Sequence, residues 1–541
     1  MLRPMMKPII DRILKFLAPV ALWLDERSPK QDYMLCTVLG LLNALAMPPV
    51  HLVPILLMTF PTLVYLLDKS LTVKQVFIKT FLFFFAFHVA GLYWINFALF
   101  VDIKNNWWVI PFALSGLPFL MALYPSIATW LWYRMAWTGS TRLVALIVLL
   151  TLSEWVRGTA FTGFPWNLWG YTWVFFEPVL QSVSLVGIYG LTFLTVALAC
   201  MPMFFARNYY DRFGRLVVTI IITAFLGLTS WGMGRLAQEL PQSAQPFNIR
   251  IVQPNITQEA KLSLEKRHEQ EKRLWRLTIA PNAQDPSITP HMVMWPETAI
   301  PLFTTYDVRR LEATLQAVLP PKTFLAVGAL EIERDDNRDK NIIANRINFY
   351  QYDGYREAFY DKFHLVPFGE YLPFENLWPV KPVAFSGTTM RAGDGLQTIR
   401  LNNIPAFSPL ICYEVLFPGE TTLKKDRPQW ILNATNDAWY GNTSGPHQHL
   451  AITRTRAVEE GLPVIRIANT GISAVIDPMG RILKSLPLNH EGIIDHEMPA
   501  FLSPTLFARL GHYPFFMLLT LTWCVAWVVQ RHRTPTLPKL K

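Results

Sequence analysis

Apolar residues are unevenly spread along the chain. Seven long apolar runs crowd into roughly the first 240 positions and an eighth lies near the C-terminus, whereas the stretch from about 245 to 500 is far more polar. A helix that crosses a bilayer needs about 20 mostly apolar residues. The runs predict spans over approximately 33–48, 50–67, 77–100, 108–132, 141–157, 180–205, 215–236 and 507–529. Consecutive prolines in "MPPVHLVP" predict a tight turn between the first two. The fifth run is short and continues into Glu154 and Arg157. The N-terminal stretch "IIDRILKFLAPVALWL" carries Asp11, Arg12 and Lys15, which suits an interfacial helix or an extra membrane segment over residues 9–24. It lacks the small-residue site of a cleaved signal.

From Asn248 onward the period changes. Short β-branched or apolar runs broken by Pro, Gly and Asn predict buried strands: "IRIVQPNI" (249–256), "MVMWPE" (292–297), "TFLAVGALE" (323–331), "INFYQY" (347–352), "SPLICYE" (408–414), "WILNATND" (430–437) and "PVIRIANT" (463–470). "QEAKLSLEKRHEQEKRLWRLT" and "HQHLAITRTRAVEE" predict amphipathic helices. Strands mixed with helices over this length predict an α/β sandwich.

Composition agrees with a membrane protein. The 541 residues are 52% hydrophobic and only 16% charged, against about 25% charged in ordinary soluble domains, and the mean hydropathy is +0.25. The net charge of +10 does not form one basic stripe. It falls in alternate connections: Arg3, Lys7, Arg12, Lys15, Arg27 and Lys30 before the first span, Lys69 and Lys74 after the second, Arg134 and Arg142 around the fourth, Arg207, Arg212 and Arg215 after the sixth, and Arg531, Arg533, Lys539 and Lys541 at the end. Cytoplasmic loops collect Lys and Arg, so both termini are expected inside and the polar domain outside. The expected organisation is an N-terminal segment (1–32), seven spans (33–240), an extracytoplasmic polar domain (245–500), a last span (505–530) and a basic tail (531–541).

This topology singles out Cys412. Cys36, Cys200 and Cys524 fall in predicted spans, leaving Cys412 as the one cysteine of the outer domain. A bacterial extracytoplasmic space is oxidising, and a leftover cysteine there indicates a reactive thiol or an intermolecular bridge. Glu297 and Lys362, with Glu370 eight residues on, also stand where apolar runs stop. A thiol nucleophile needs a base, because its free pKa is about 8.5, and it needs positive charge where an oxyanion forms. Glu, Lys and Cys supply all three parts. Taken singly, each has a plainer reading: a helix-start carboxylate, a solvated loop charge and a small buried hydrophobe.

Together these residues resemble the carbon–nitrogen hydrolase (nitrilase) superfamily, with its Glu–Lys–Cys triad on an α-β-β-α sandwich. The membrane frame, with "FTGFPWNLWGY" (161–171), "WPETAIP" (295–301), "DKFHLVPFGEYLPFE" (361–375), "ICYEVLFP" (411–418) and "NDAWYG" (436–441), is similar to its membrane-embedded branch, the bacterial apolipoprotein N-acyltransferases. The resemblance implies a polytopic α-helical membrane domain of about eight transmembrane helices plus an extracytoplasmic nitrilase-like domain. It implies Glu297 as general base, Lys362 as oxyanion cation and Cys412 as nucleophile. Glu370 would assist them, Tyr413 and Glu414 flank the nucleophile, and Asn345 matches a family Asn. At Leu262 the chain departs from the Trp that the family often carries near its substrate. The implied reaction moves an acyl chain from a phospholipid, through a cysteine thioester, to the α-amine of a diacylglyceryl-cysteine on an apolipoprotein, in the bacterial inner membrane, as a monomer and without a cofactor.

The connection 161–176, with Trp166, Trp169, Tyr171 and Trp173, reads either as an interfacial aromatic belt or as the lining of an acyl pocket. "YLPFENLWPVKPVAFSG" (371–387) reads as a membrane-facing arm beside the site or as a packed loop. His447 and His449, two apart on a helix, do not face together, so no metal site is expected. "NIT", "NAT" and "NTS" are chance matches to a glycosylation pattern in a bacterial chain. The competing functions are a membrane-tethered amidase and a transporter or receptor with an inactive nitrilase-like domain.

Overall fold

The computed structural model describes residues 19, 22–101, 103–241, 247–263, 265–282, 285–303, 305–335, 340–372 and 390–533. The proposed arm around Phe374, Leu377 and Trp378, most of the N-terminal segment and the end of the basic tail lie outside the described residues.

Among the described residues, six helices are long and apolar enough to cross a membrane: Val73–Phe100, Trp107–Arg134, Gly139–Thr162, Val183–Phe205, Arg212–Leu236 and Tyr513–Arg531. The first two predicted spans are shorter helices, Pro29–Asn43 and Leu56–Asp68, joined by two 3-10 turns. Fifteen residues rise about 22 Å, less than a hydrocarbon core of about 30 Å. This pair forms a hairpin. The carbonyl of Pro48, near its tip, accepts a hydrogen bond from Gln448 of the α/β half at 3.3 Å. Local chemistry sets the helix starts: Ser28 and Gln31 form a capping box, and the Thr72 and Asp211 side chains accept from the N–H groups of Gln75 and Gly214. The fifth predicted span does run on. Its last turn holds Glu154 and Arg157 as a buried pair at 2.6 Å, and Arg157 also donates to the carbonyls of Phe164 and Trp166, at 2.7 and 3.0 Å.

Among the described residues the polar half contains two sheets. Seven strands, β1 (Asn248–Gln253), β2 (Met292–Met294), β3 (Ile300–Phe303), β4 (Phe324–Asp335), β5 (Lys340–Gln351), β6 (Arg356–Asp361) and β12 (Gly492–Glu497), form one sheet in the order β12-β1-β2-β4-β5-β6, with β3 also on β4. β7 (Phe407–Ile411), β8 (Trp430–Thr435), β9 (Val464–Ala468), β10 (Ser473–Ile476) and β11 (Ile482–Leu486) form the other, in the order β11-β10-β9-β8-β7. Alternate residues separate two layers, as a strand's period of two requires. Ile249, Ile251, Phe324 and Ala326 meet Phe407, Ile411, Leu432 and Ile465 between the sheets. Leu325 and Val327 face Leu274, Leu311 and Leu315 of the helices Arg267–Thr278 and Thr305–Val318. On the other side Leu410 and Ile431 face Leu450 and Ala457 of the helix Ser444–Glu460. The order is therefore α-β-β-α. A further core joins the halves, with Trp166, Tyr171 and Ile188 packed against Tyr413, Phe417 and Ile452.

Candidate active site

β2 pairs in parallel with β1 and β4, and β8 with β7 and β9, and the chain beyond β2 meets the chain beyond β8 across the two sheets, where the Asn436 N–H donates to Glu297 Oε2 at 2.8 Å. Loops beyond strand ends are where α/β folds carry their chemistry.

Glu297 is the third residue after β2 and is 5% exposed. Its Oε1 accepts from Asn345 Nδ2 at 2.8 Å and its Oε2 from the Asn436 N–H at 2.8 Å. The backbone beneath it is held close to β4. A Cβ on Gly328 would stand 2.2 Å from the Pro296 carbonyl oxygen and 2.8 Å from Glu297 Cα. Gly328→Ala must therefore displace Glu297. Because a 1 Å misplacement can cost about 10²-fold in rate, turnover is expected to fall by about that factor with the fold retained, as read by initial rates beside a thermal melt.

Lys362 is the first residue after β6, its N–H donating to the Asn345 carbonyl at 2.9 Å. Its ammonium is 2.7 Å from Glu370 Oε1 and 3.8 Å from Glu297 Oε1, and the side chain is 1% exposed. Burial opposes the charge, but Glu370 and Glu297 outweigh it and hold the lysine well above its usual pKa. Glu370 is fixed by the Val366 N–H, which donates to Oε2 at 2.8 Å. Asn345 Nδ2 reaches both carboxylates, at 2.8 and 3.5 Å. Burial raises the pKa of Glu297, while the Lys362 charge pulls the other way.

Cys412 ends the apolar run of β7. The chain was expected to remain extended through Glu414, but it turns at Cys412, which sits at φ 49 and opens a 3-10 helix, Cys412–Leu416. The left-handed region is unusual for a residue with a Cβ and persists only where surroundings over-determine it. Glu414 is one such restraint. It is 1% exposed and accepts from the N–H groups of Ile411, Phe363 and His364, at 2.7, 2.8 and 3.2 Å, and from Tyr360 Oη at 3.0 Å. It ties the turn at Cys412 to the chain beyond Lys362. Burial raises its pKa to about 7 despite these donors. Burial likewise pushes the Cys412 thiol up to about 12, with the Glu297 charge adding to the shift and the Lys362 charge opposing it.

The membrane half supplies one wall. Tyr440 Oη lies 3.8 Å from Cys412 Sγ. The Trp94 and Trp166 rings stand 4.5 and 5.9 Å from the Tyr440 ring, and both indoles donate to Gln448 Oε1 at 3.1 and 2.7 Å. Tyr413 Oη donates to the Gly163 carbonyl at 3.0 Å. Trp166, Trp169 and Tyr171 are all buried within the protein, which departs from an aromatic belt facing lipid headgroups.

Sequence reasoning missed several residues. Lys261 is buried, donates to the Glu297 carbonyl at 3.2 Å, and is lowered by burial to a pKa of about 7. Asp437, His449 and Arg466 form a buried cluster behind Cys412. The "NDAWYG" motif contained Asp437 and Tyr440, but nothing in the local pattern marks a charged residue as buried. The side chain at Leu262 lies outside the described residues.

A carboxylate, an ammonium and a thiol held together can accept a proton, stabilise an oxyanion and attack a carbonyl carbon. Comparison with known proteins agrees in kind. Residues 39–201 match the family model "Apolipoprotein N-acyltransferase N-terminal domain", and residues 237–502 match "Carbon-nitrogen hydrolase". The chain is 38% identical over 515 residues to an apolipoprotein N-acyltransferase of Rhodopseudomonas palustris, covering 92% of this chain and 94% of that one. It is 38% identical over 505 residues to that of Bradyrhizobium diazoefficiens, covering 90% and 93%. With that of Rickettsia bellii the identity is 34% over 500 residues, covering 92% and 97%.

Proposed function

This chain belongs to the apolipoprotein N-acyltransferase family, and from that premise we infer that Cys412 carries an acyl chain from a membrane phospholipid to the α-amine of an N-terminal diacylglyceryl-cysteine. Glu297 takes the thiol proton as Sγ attacks the ester carbonyl. Lys362 stabilises the oxyanion, and Glu370 holds Lys362 in place. The ester C–O bond breaks, and the lysophospholipid oxygen leaves with the proton from Glu297. The acceptor amine then attacks the thioester, Glu297 takes the amine proton, and the thiol is restored. Splitting the transfer at a covalent intermediate gives ping-pong kinetics.

The observation that carries the reading is the shared wall. A soluble amide needs no membrane half, yet Trp94 and Trp166 stand beside Tyr440, whose hydroxyl is 3.8 Å from Cys412 Sγ. The distribution of Lys and Arg supports both termini in the cytoplasm, residues 245–500 in the periplasm and the protein in the inner membrane.

The test is to incubate the membrane-embedded protein with acyl-labelled phospholipid and analyse Cys412 by peptide mass. A thioester on Cys412 is expected, and a diacylated lipopeptide with a free α-amine should discharge it. Absence of the thioester from folded protein overturns the mechanism. Discharge to water alone favours the tethered amidase.

A further inference from the structure

Behind the turn at Cys412 lies a chain of charged groups that the acyl-transfer steps do not use. Arg466 on β9 donates from Nε to the Ile472 carbonyl at 3.2 Å and from Nη1 to Asn433 Oδ1 at 2.6 Å. Its Nη2 donates to Asp437 Oδ2 at 2.6 Å. Asp437 Oδ1 is 2.9 Å from His449 Nδ1, and Thr435 Oγ1 donates to the same oxygen at 3.0 Å. His449 Nε2 is 3.3 Å from the carbonyl oxygen of Cys412. A carbonyl only accepts, so this contact is a hydrogen bond when Nε2 carries a proton: in the imidazolium, with Nδ1–H donating to Asp437, or in the neutral tautomer whose Nδ1 accepts from Arg466 Nη2 at 3.1 Å. The side chains of Arg466, Asp437 and His449 are all at 0% exposure. The cluster is packed against the wall of the site, with the His449 ring 5.6 Å from Trp166 and 5.9 Å from Tyr440.

Cys412 is thus gripped on both sides. Glu414 holds the N–H of Ile411 before it at 2.7 Å, and His449 holds the carbonyl after it. The C=O of Cys412 and the N–H of Tyr413 belong to one planar trans peptide and point in opposite directions. Fixing the first fixes the second.

We propose that Arg466, Asp437 and His449 are positioning residues that grip the Cys412 carbonyl and so aim the Tyr413 N–H away from His449, at the oxyanion that forms when Cys412 is acylated. The proposal rests on Cys412 being the nucleophile. A purely structural role would need only shape and packing. This one needs a donor at the position of Nε2, which Gln supplies and Leu does not.

The experiment compares the full-length wild type with His449→Leu and His449→Gln in nanodiscs. The acylation burst with a short p-nitrophenyl ester is measured beside alkylation of Cys412 by iodoacetamide, located by peptide mass. Acylation forms an oxyanion; alkylation does not. His449→Leu should acylate about 10- to 100-fold more slowly, as expected when an oxyanion donor is misaligned, with alkylation unchanged. His449→Gln should recover most of the loss. Wild-type acylation in His449→Leu, or no recovery in His449→Gln, overturns the proposal, as does an equal loss of acylation and alkylation. Should His449→Leu not fold, Asp437→Asn carries the same split between the two reactions, with the same overturning outcomes. A wild type with no burst breaks the nucleophile assignment itself; a normal burst with an unaffected His449→Leu breaks only the positioning chain.

Discussion

Lys362→Met removes acyl transfer by about 10³-fold or more and destabilises the protein by on the order of 3–5 kcal/mol, the usual cost of breaking a buried charge pair from one side. Lys362 is the cation between two buried carboxylates, at 2.7 Å from Glu370 and 3.8 Å from Glu297. Without it, those carboxylates face each other through Asn345, which reaches both. One must take up a proton, because two like charges in one desolvated site cannot both ionise. The loss of rate then has two sources: the missing oxyanion cation, and a base pushed further toward its neutral form. The double variant Lys362→Met/Glu370→Gln separates activity from stability. It removes the excess negative charge, so the thermal midpoint should recover most of its fall, while transfer stays at the level of the single variant. Wild-type rates in Lys362→Met, or recovery of rate along with stability in the double variant, would refute the role given to the ammonium.

The site was legible in the sequence to the extent that its residues break an apolar pattern. Glu297, Lys362 and Cys412 each stand where a run of strand residues stops, and face-to-face packing of the two sheets brings the charges of Glu297 and Lys362 to bear on Cys412. Asn345 had no such signal and entered only through the resemblance, because it lies inside β5, between Ala344 and Arg346, away from either strand end. The function of Glu414 was hidden for a different reason. Its partners are Phe363, His364 and Tyr360, in or just beyond β6. β6 is an edge strand exposed at Arg356 and Phe359 and buried at Tyr360 and Asp361, so it has no period of two to read. The tie also needs the reversal at Cys412, which no local propensity predicts for a non-glycine residue. Arg466, Asp437 and His449 were missed because periodicity assigns charges to the surface, and here three of them satisfy one another in the core. The membrane half was read well wherever a run reached span length. At the first pair the runs fold as 15- and 13-residue helices, below the length of a full span, and form a hairpin that reaches the α/β half.

Glu297→Gln should divide two reactions of the same sulfur. With its thiol pushed up to about 12, Cys412 is a neutral thiol at pH 7 and depends on a neighbour to take its proton. Glu297 does this only as a carboxylate. Its pKa is raised, so acyl transfer by the wild type should fall, as pH is lowered, above the range of an ordinary glutamate. The amide cannot accept that proton, and transfer at pH 7 should drop by about 10³-fold, a typical general-base contribution. The acid limb should vanish as well, leaving a rate that climbs with pH as free thiolate appears. Yet the Glu297 charge is itself a reason the thiol pKa is high, second to burial. Removing it while Lys362 stays cationic lowers the thiol pKa, so Cys412 should react faster with iodoacetamide at alkaline pH than in the wild type. The fold tolerates the change. Among the described residues Asn345 Oδ1 has no hydrogen-bond partner, and turning that amide over lets it accept from the new N–H₂ while the Asn436 N–H keeps an oxygen. A buried carboxylate with a raised pKa costs stability wherever it is ionised, so the variant's thermal midpoint at pH 7 should equal or exceed that of the wild type. Faster alkylation with slower transfer is the signature of a lost base beside an intact nucleophile. If both reactions slow together, Glu297 does not serve as the base, and its place in the mechanism falls.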